Sequence, residues 1–212
     1  MSQIQTVNGQ QVYVYEGVNY PRVTTVLDLF YRQLYGFPSK AMKDYMTERA
    51  NIGSAVHYLA ERYCKGKPEE LNATTLPIND ALVVNLFNQA RPILDEIRPF
   101  ISYWEVPVKS NKLMVAGRVD FLTVNPDGTH TIWDIKTSAK PKSEDKREGY
   151  WLQLAAYAVC AKETLGTRIS GAKVLFLLDN KSIVYEKTGL ELLKYADQFV
   201  NYRNIFRAKY AV

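Results

Sequence analysis

Two carboxylates and one ammonium mark the most informative stretch of the chain, GRVDFLTVNPDGTHTIWDIKT over residues 117–137. Asn125-Pro126-Asp127-Gly128 sets Pro, Asp and Gly where a type I turn followed by a left-handed residue wants them, which makes a three-residue hairpin loop with a bulge. Such a loop makes Asn125 face Thr129. Asp120 then falls opposite Asp134, with Lys136 and Arg118 on the same side. Val119, Phe121, Trp133 and Ile135 occupy the reverse side and are core material. Carboxylates opposite one another cost stability unless a cation sits between them. A hard divalent ion, Mg2+ or Mn2+, takes oxygen ligands and fits that gap. Bound there, it would polarise a phosphoryl oxygen and lower the pKa of a water, while Lys136 offsets charge developing on the phosphate. An isolated DxK triplet is equally at home as a surface ion pair; the register, with a core face behind it, favours a site.

The elements that must position these residues follow from periodicity. From Ile101 the period is two, which predicts strands at 101–109, 113–124 and 130–137. A helix over 146–165 ends at Gly166, in the place of a left-handed C-terminal residue. Ala172–Leu178 suits a buried strand, with Ser182–Glu186 as its neighbour. Thr188 and Glu191 form a capping-box pattern before a last helix carrying Leu192, Tyr195, Phe199, Tyr202 and Phe206 on one face. Ahead of the strands, residues 7–20 read as a small hairpin punctuated by Gly9 and Gly17. Helices start near Thr24-Thr25, at Ser39, and at Asn79 or Asp80, the third bending at Pro92 and ending before Pro99. If Ser110-Asn111 is a two-residue turn, Glu105 joins the face of Asp120; otherwise it is an exposed strand residue. The fold class is α/β, with a mixed (α+β) sheet. Residues 1–212 make one domain: 1–100 mostly helical, set to one side, and 101–212 the sheet core.

Composition bounds the remaining possibilities. The 212 residues, 47% hydrophobic and 23% charged, can bury a sizeable core and are not disordered. The most apolar uncharged stretch, Gly149–Ala161, is too short for a membrane span. The opening MSQIQTVNGQ has no leader pattern, so the expected location is intracellular and cytoplasmic, with a viral or prokaryotic source. Cys64 and Cys160 are too few for a disulfide scaffold, a zinc ribbon or a four-thiolate iron–sulfur cluster. Lys plus Arg number 27 against 22 for Asp plus Glu, a net charge of +5 that favours a polyanionic partner such as nucleic acid.

Asp120 followed by Asp134-Ile135-Lys136 resembles the PD-(D/E)XK nuclease superfamily, with Val119 where the name has Pro. Three further segments resemble its RecB-like exonuclease branch: Gly53-Ser54-Ala55-Val56-His57 as G-x-x-x-H, Gly117-Arg118-Val119-Asp120-Phe121 as the second motif, and Gln153-Leu154-Ala155-Ala156-Tyr157 as Q-x-x-x-Y. Their order and spacing fit from about residue 45 to 160. The opening YPRVTTVL is similar to that of stand-alone phage and organellar members. The resemblance implies a restriction-endonuclease-like core with an N-terminal helical elaboration. It implies that His57, Asp120, Asp134 and the Ile135 carbonyl hold Mg2+ or Mn2+, that Lys136 is catalytic, and that Gln153 and Tyr157 support the site and the strand. Gly53 and His57 share a helical face, the absent side chain at Gly53 permitting close approach to the sheet. An imidazole among oxygens favours Mn2+ somewhat. Glu61, one turn beyond His57, could accept its second ring proton.

The chain departs from iron–sulfur members, since four cysteines are lacking, and carries no G-x-x-x-x-G-K-[ST] motor motif. The nuclease therefore stands alone or borrows a helicase or recombination partner in trans. The expected activity is metal-dependent hydrolysis of DNA phosphodiester bonds, as an exonuclease preferring single-stranded ends. The rivals are a structure- or site-specific endonuclease of the same superfamily, a non-catalytic DNA-binding module with this fold, and a purely structural acidic hairpin.

Overall fold

The computed structural model describes residues 3–67 and 75–211. The chain opens with an antiparallel sheet of β1 (Gln3–Val7), β2 (Gln10–Tyr15) and β3 (Val18–Pro21). Asn8-Gly9 and Glu16-Gly17 turn it twice, each as a pair of positive-φ residues, the type I′ geometry that suits strand twist. The expected hairpin over 7–20 is thus three strands beginning at Gln3, because Asn8-Gly9 is itself a turn.

Three helices follow: α1 (Val23–Tyr35), α2 (Lys40–Lys65) and α3 (Ala81–Ile97). Ser39 Oγ accepts from the Met42 amide at 3.2 Å and Asp80 from the Leu82 amide at 2.8 Å, so both expected caps satisfy orphan donors of the first turn. The main sheet contains β4 (Ile101–Ser110), β5 (Val115–Val124), β6 (His130–Thr137), β7 (Ile169–Leu177) and β8 (Ser182–Thr188), in that spatial order. β6 and β7 run parallel and the other neighbours antiparallel. A parallel pair demands a crossover, supplied by α4 (Glu144–Leu165). Helix α5 (Gly189–Tyr210) starts at the Thr188–Glu191 capping box.

Helices cover both faces of this sheet. Val119, Leu122, Ile132, Val174 and Phe176 pack with α1, α4 and α5, through Val26, Leu152, Ala156 and Phe199. Phe121, Trp133, Ile135, Leu175 and Leu177 pack with α2 and α3, through Ile52, Val56, Leu86 and Leu94. The helical first hundred residues therefore do not lie to one side: α1 joins one layer while α2 and α3 form the other. The β5–β6 hairpin is buried on both faces, and Val119 parts from Phe121, Trp133 and Ile135. Strand β5 changes its facing at Asp120, between Val119 and Phe121.

Register fixes the site. Asn125 N donates to Thr129 O at 2.8 Å, and Phe121 pairs with Trp133, as the Asn125–Gly128 loop predicts. The regular ladder stops there, one position short of Asp120 and Asp134. Between β4 and β5 the link spans residues 111–114, and Ser110 pairs with Val115. Compared with a two-residue turn, this slides the register by an even number of residues. Glu105 keeps its face but moves from opposite Ala116 to opposite Asp120, between the pairs Trp104–Phe121 and Val106–Val119.

Candidate active site

The carboxylates gather where the sheet loses its regularity. Asp120 Oδ2 accepts the Ile135 amide at 2.7 Å, so its side chain takes over a donor that a continued ladder would have used. Glu105 has φ 47°, a left-handed conformation uncommon for a non-glycine residue, in the edge strand β4. Arg118 Nε holds its carboxylate at 2.6 Å. Behind them the rings of Trp104, Phe121 and Trp133 stack across three strands, with centroids 4.8 and 5.5 Å apart. That flat aromatic layer gives the polar groups a rigid floor.

Helix α2 brings His57 over the same point. Its Nδ1 lies 3.5 Å from Asp120 and 3.9 Å from Glu105, and its Nε2 lies 2.9 Å from the Ile135 carbonyl. Ligand atoms of His57, Glu105 and Asp120 fall within 4.8 Å of one another. Burial alone would lower the imidazolium pKa, but the Asp120 and Glu105 carboxylates prevail and raise it to about 9. The negative field is thus strong enough to keep a cation, here a proton, on the ring.

Asp134 stands on the other side of β6, with Lys136 and α4. It is 3% exposed. One of its oxygens accepts from Lys136 Nζ at 2.6 Å and from Gln153 Nε2 at 3.4 Å. The other is equally close to the ammonium, but out of line for a hydrogen bond and without another partner. Burial would discharge Lys136, but Asp134 and Asp120 outweigh it and hold it charged. Burial also pushes the Asp134 carboxyl upward against the pull of Lys136. Lys136 Nζ lies 5.4 Å from the centre of the Tyr150 ring.

Two sequence segments prove to be one packing unit. A Cβ on Gly117 would sit 2.4 Å from Tyr157 Cε1, an impossible contact, so the glycine before Arg118 makes room for the buried tyrosine of α4. Gly53 differs. A Cβ there would meet only Thr137 Oγ1 at 3.5 Å, an ordinary contact, so the sheet does not demand this glycine. Glu61 forms an ion pair with Lys65 at 2.6 Å, and the second nitrogen of His57 faces the Ile135 carbonyl instead. His57, Glu105, Asp120, Asp134, Lys136, Gln153 and Tyr157 all border one open cavity of about 540 Å³. Tyr13, Arg22 and Arg49 border it too and escaped the sequence reading. Arg49 was findable, since it stands four residues before Gly53 and eight before His57.

A family model for the PD-(D/E)XK nuclease superfamily matches residues 26–211. The chain belongs to that superfamily. Among solved structures, a candidate exonuclease from Eubacterium rectale is 16% identical, with 92% of this chain and 77% of that chain covered and a TM-score of 0.49. The structure of SSO0001 is 16% identical, covering 90% of this chain and 79% of that one, with a TM-score of 0.46. No curated protein matches in sequence. PD-(D/E)XK proteins are nucleases that use divalent metals, and the donor set of this PD-(D/E)XK chain fits one. It offers carboxylate oxygens and an imidazole in reach of one another, and a buried Asp134 oxygen that accepts no hydrogen bond though Lys136 Nζ lies 2.6 Å away. No helix among the described residues is long and apolar enough to cross a membrane.

Proposed function

We propose that this protein is a metal-dependent deoxyribonuclease that degrades DNA from single-stranded ends. The observation that carries this reading is the convergence of His57, Glu105 and Asp120 beside the Asp134–Lys136 pair in one open cavity. His57 through Nδ1, Asp120 and Glu105 would hold Mg2+ or Mn2+, the latter suited to the imidazole, with the Asp134 oxygen that only Lys136 approaches as a further ligand. Bound there, the ion supplies Lewis acidity and an acidified water.

The chain's own groups do the remaining work. The Ile135 carbonyl orients the His57 ring, leaving Nδ1 towards the carboxylates. Lys136, kept charged by Asp134, offsets negative charge growing on the phosphate. Gln153 steadies Asp134, and Tyr157 locks α4 against Gly117. Exposed Tyr45 offers a face on which an unpaired base stacks. In this reading residues 1–212 form one nuclease domain of the RecB-like kind, working in the cytoplasm alone or beside a helicase or recombination partner.

The test compares the wild type with Lys136→Ala on end-labelled single-stranded DNA in Mg2+, Mn2+ or EDTA. Shortening that needs metal and is lost in the variant supports the reading, and the label gives polarity. Equal cutting of circular single strands would replace the exonuclease with an endonuclease. Binding without cutting in either metal would leave a DNA-binding module.

A further inference from the structure

One face of α2 continues beyond His57. Gly53 and Arg49 precede it at intervals of four residues, so the three stack on one side of the helix, and all line the cavity. One terminal nitrogen of the Arg49 guanidinium is buried without a hydrogen-bond partner. The other cations of the cavity are satisfied: Arg22 donates to Gln11 at 2.6 Å, Arg118 to Glu105, Lys136 to Asp134. Arg49 has no carboxylate among the described residues. A guanidinium with a buried, unused donor costs free energy until an anion arrives.

We propose that Arg49 forms a phosphate subsite that binds a backbone phosphate neighbouring the one to be cut. This rests on the nuclease reading and adds a residue-level strand contact to it. Arg49 and His57 are eight residues apart, about 12 Å along the helix axis, so the subsite takes a neighbouring phosphate rather than the reacting one. A planar fork of donors matches a tetrahedral oxyanion. The contact reads no base, so it serves register and grip along the strand.

Wild type and Arg49→Ala are compared on a single-stranded oligothymidylate, by cleavage in Mg2+ or Mn2+ and by binding in EDTA across a salt series. The variant is expected to lose about tenfold in kcat/KM, mainly through KM. The slope of log affinity against log salt should fall by about 0.7 for each cation removed. A scan of single neutral methylphosphonate linkages tests the wild type without any mutation. One linkage should cost wild type about tenfold and cost Arg49→Ala nothing further. Unchanged KM, salt slope and linkage sensitivity in Arg49→Ala would overturn the subsite. Failure of wild type to cut would overturn the nuclease reading instead, leaving the salt slopes to judge the subsite separately.

Discussion

At the scale of single residues, two glycines in the cavity have opposite reasons to exist. Gly117 is demanded by the fold. Gly117→Ala drives a Cβ into Tyr157 and should cost about 1–3 kcal/mol in urea unfolding. The loss should shrink in the background of Tyr157→Leu, since the two sites share one space. Gly53 carries the cost of a glycine in mid-helix with no packing need. Gly53→Ala should therefore raise stability by up to about 1 kcal/mol. Its methyl projects at the cavity wall beside Thr137, so nuclease activity should fall as stability rises. Lys136 shows a different coupling: removing it leaves a nearly buried carboxylate without its ammonium. Lys136→Ala should thus lose at least about 1 kcal/mol in addition to activity, measured on the same unfolding curve.

At the scale of elements, the last helix depends on its first turn. Thr188 Oγ1 accepts from the Glu191 amide while Glu191 accepts from the Thr188 amide. Thr188→Ala should cost about 1 kcal/mol. Lys187, with the Thr188 amide and hydroxyl, holds the Glu191 carboxyl down at about 2, below its ordinary 4.5. A group whose pKa is depressed on folding stabilises the fold above its unfolded pKa, and that stability drains as pH falls through the folded value. The melting temperature should therefore decline from pH 4.5 towards 2, and Glu191→Gln should flatten that part of the curve. Helix α2 is built on another principle. Its first ten residues pack weakly, with Met42, Tyr45 and Met46 all about half exposed, while Ile52, Val56 and Leu59 anchor its second half. Anchorage is strongest in the half that carries His57.

For the whole molecule, metal binding and folding should be linked, since the proposed cation ligands come from α2, β4, β5 and β6, which unfolding separates. An ion that binds only the folded state stabilises it by about 2.7 kcal/mol at a hundredfold excess over Kd. Mn2+ should raise the melting temperature, and Asp120→Asn should abolish most of that rise. The two helical layers of the sheet also divide the work. Contacts from α2 and α3 hold His57, and contacts from α4 hold the Asp134–Lys136 pair, so the site lies at the seam between the layers.

Much of this was legible in local chemistry. Asn125-Pro126-Asp127-Gly128 encodes its own loop, and that loop dictates the Phe121–Trp133 register, because turn type and pairing are set by adjacent residues. Ser39, Asp80 and Thr188 announce their helices for the same reason. The segments around His57, Asp120, Lys136 and Gln153 carried the family resemblance. Only the tertiary structure decided where the ladder stops, which freed Asp120 to bond the Ile135 amide. It also set Glu105 opposite Asp120, since the 111–114 link has no strong turn signature. The sharing of space by Gly117 and Tyr157, and the exposure of Arg49 to the cavity, arise from contacts between distant segments. Turn and cap geometry depends on neighbours in the chain; strand ends, facing and side-chain partners depend on which layers close over them.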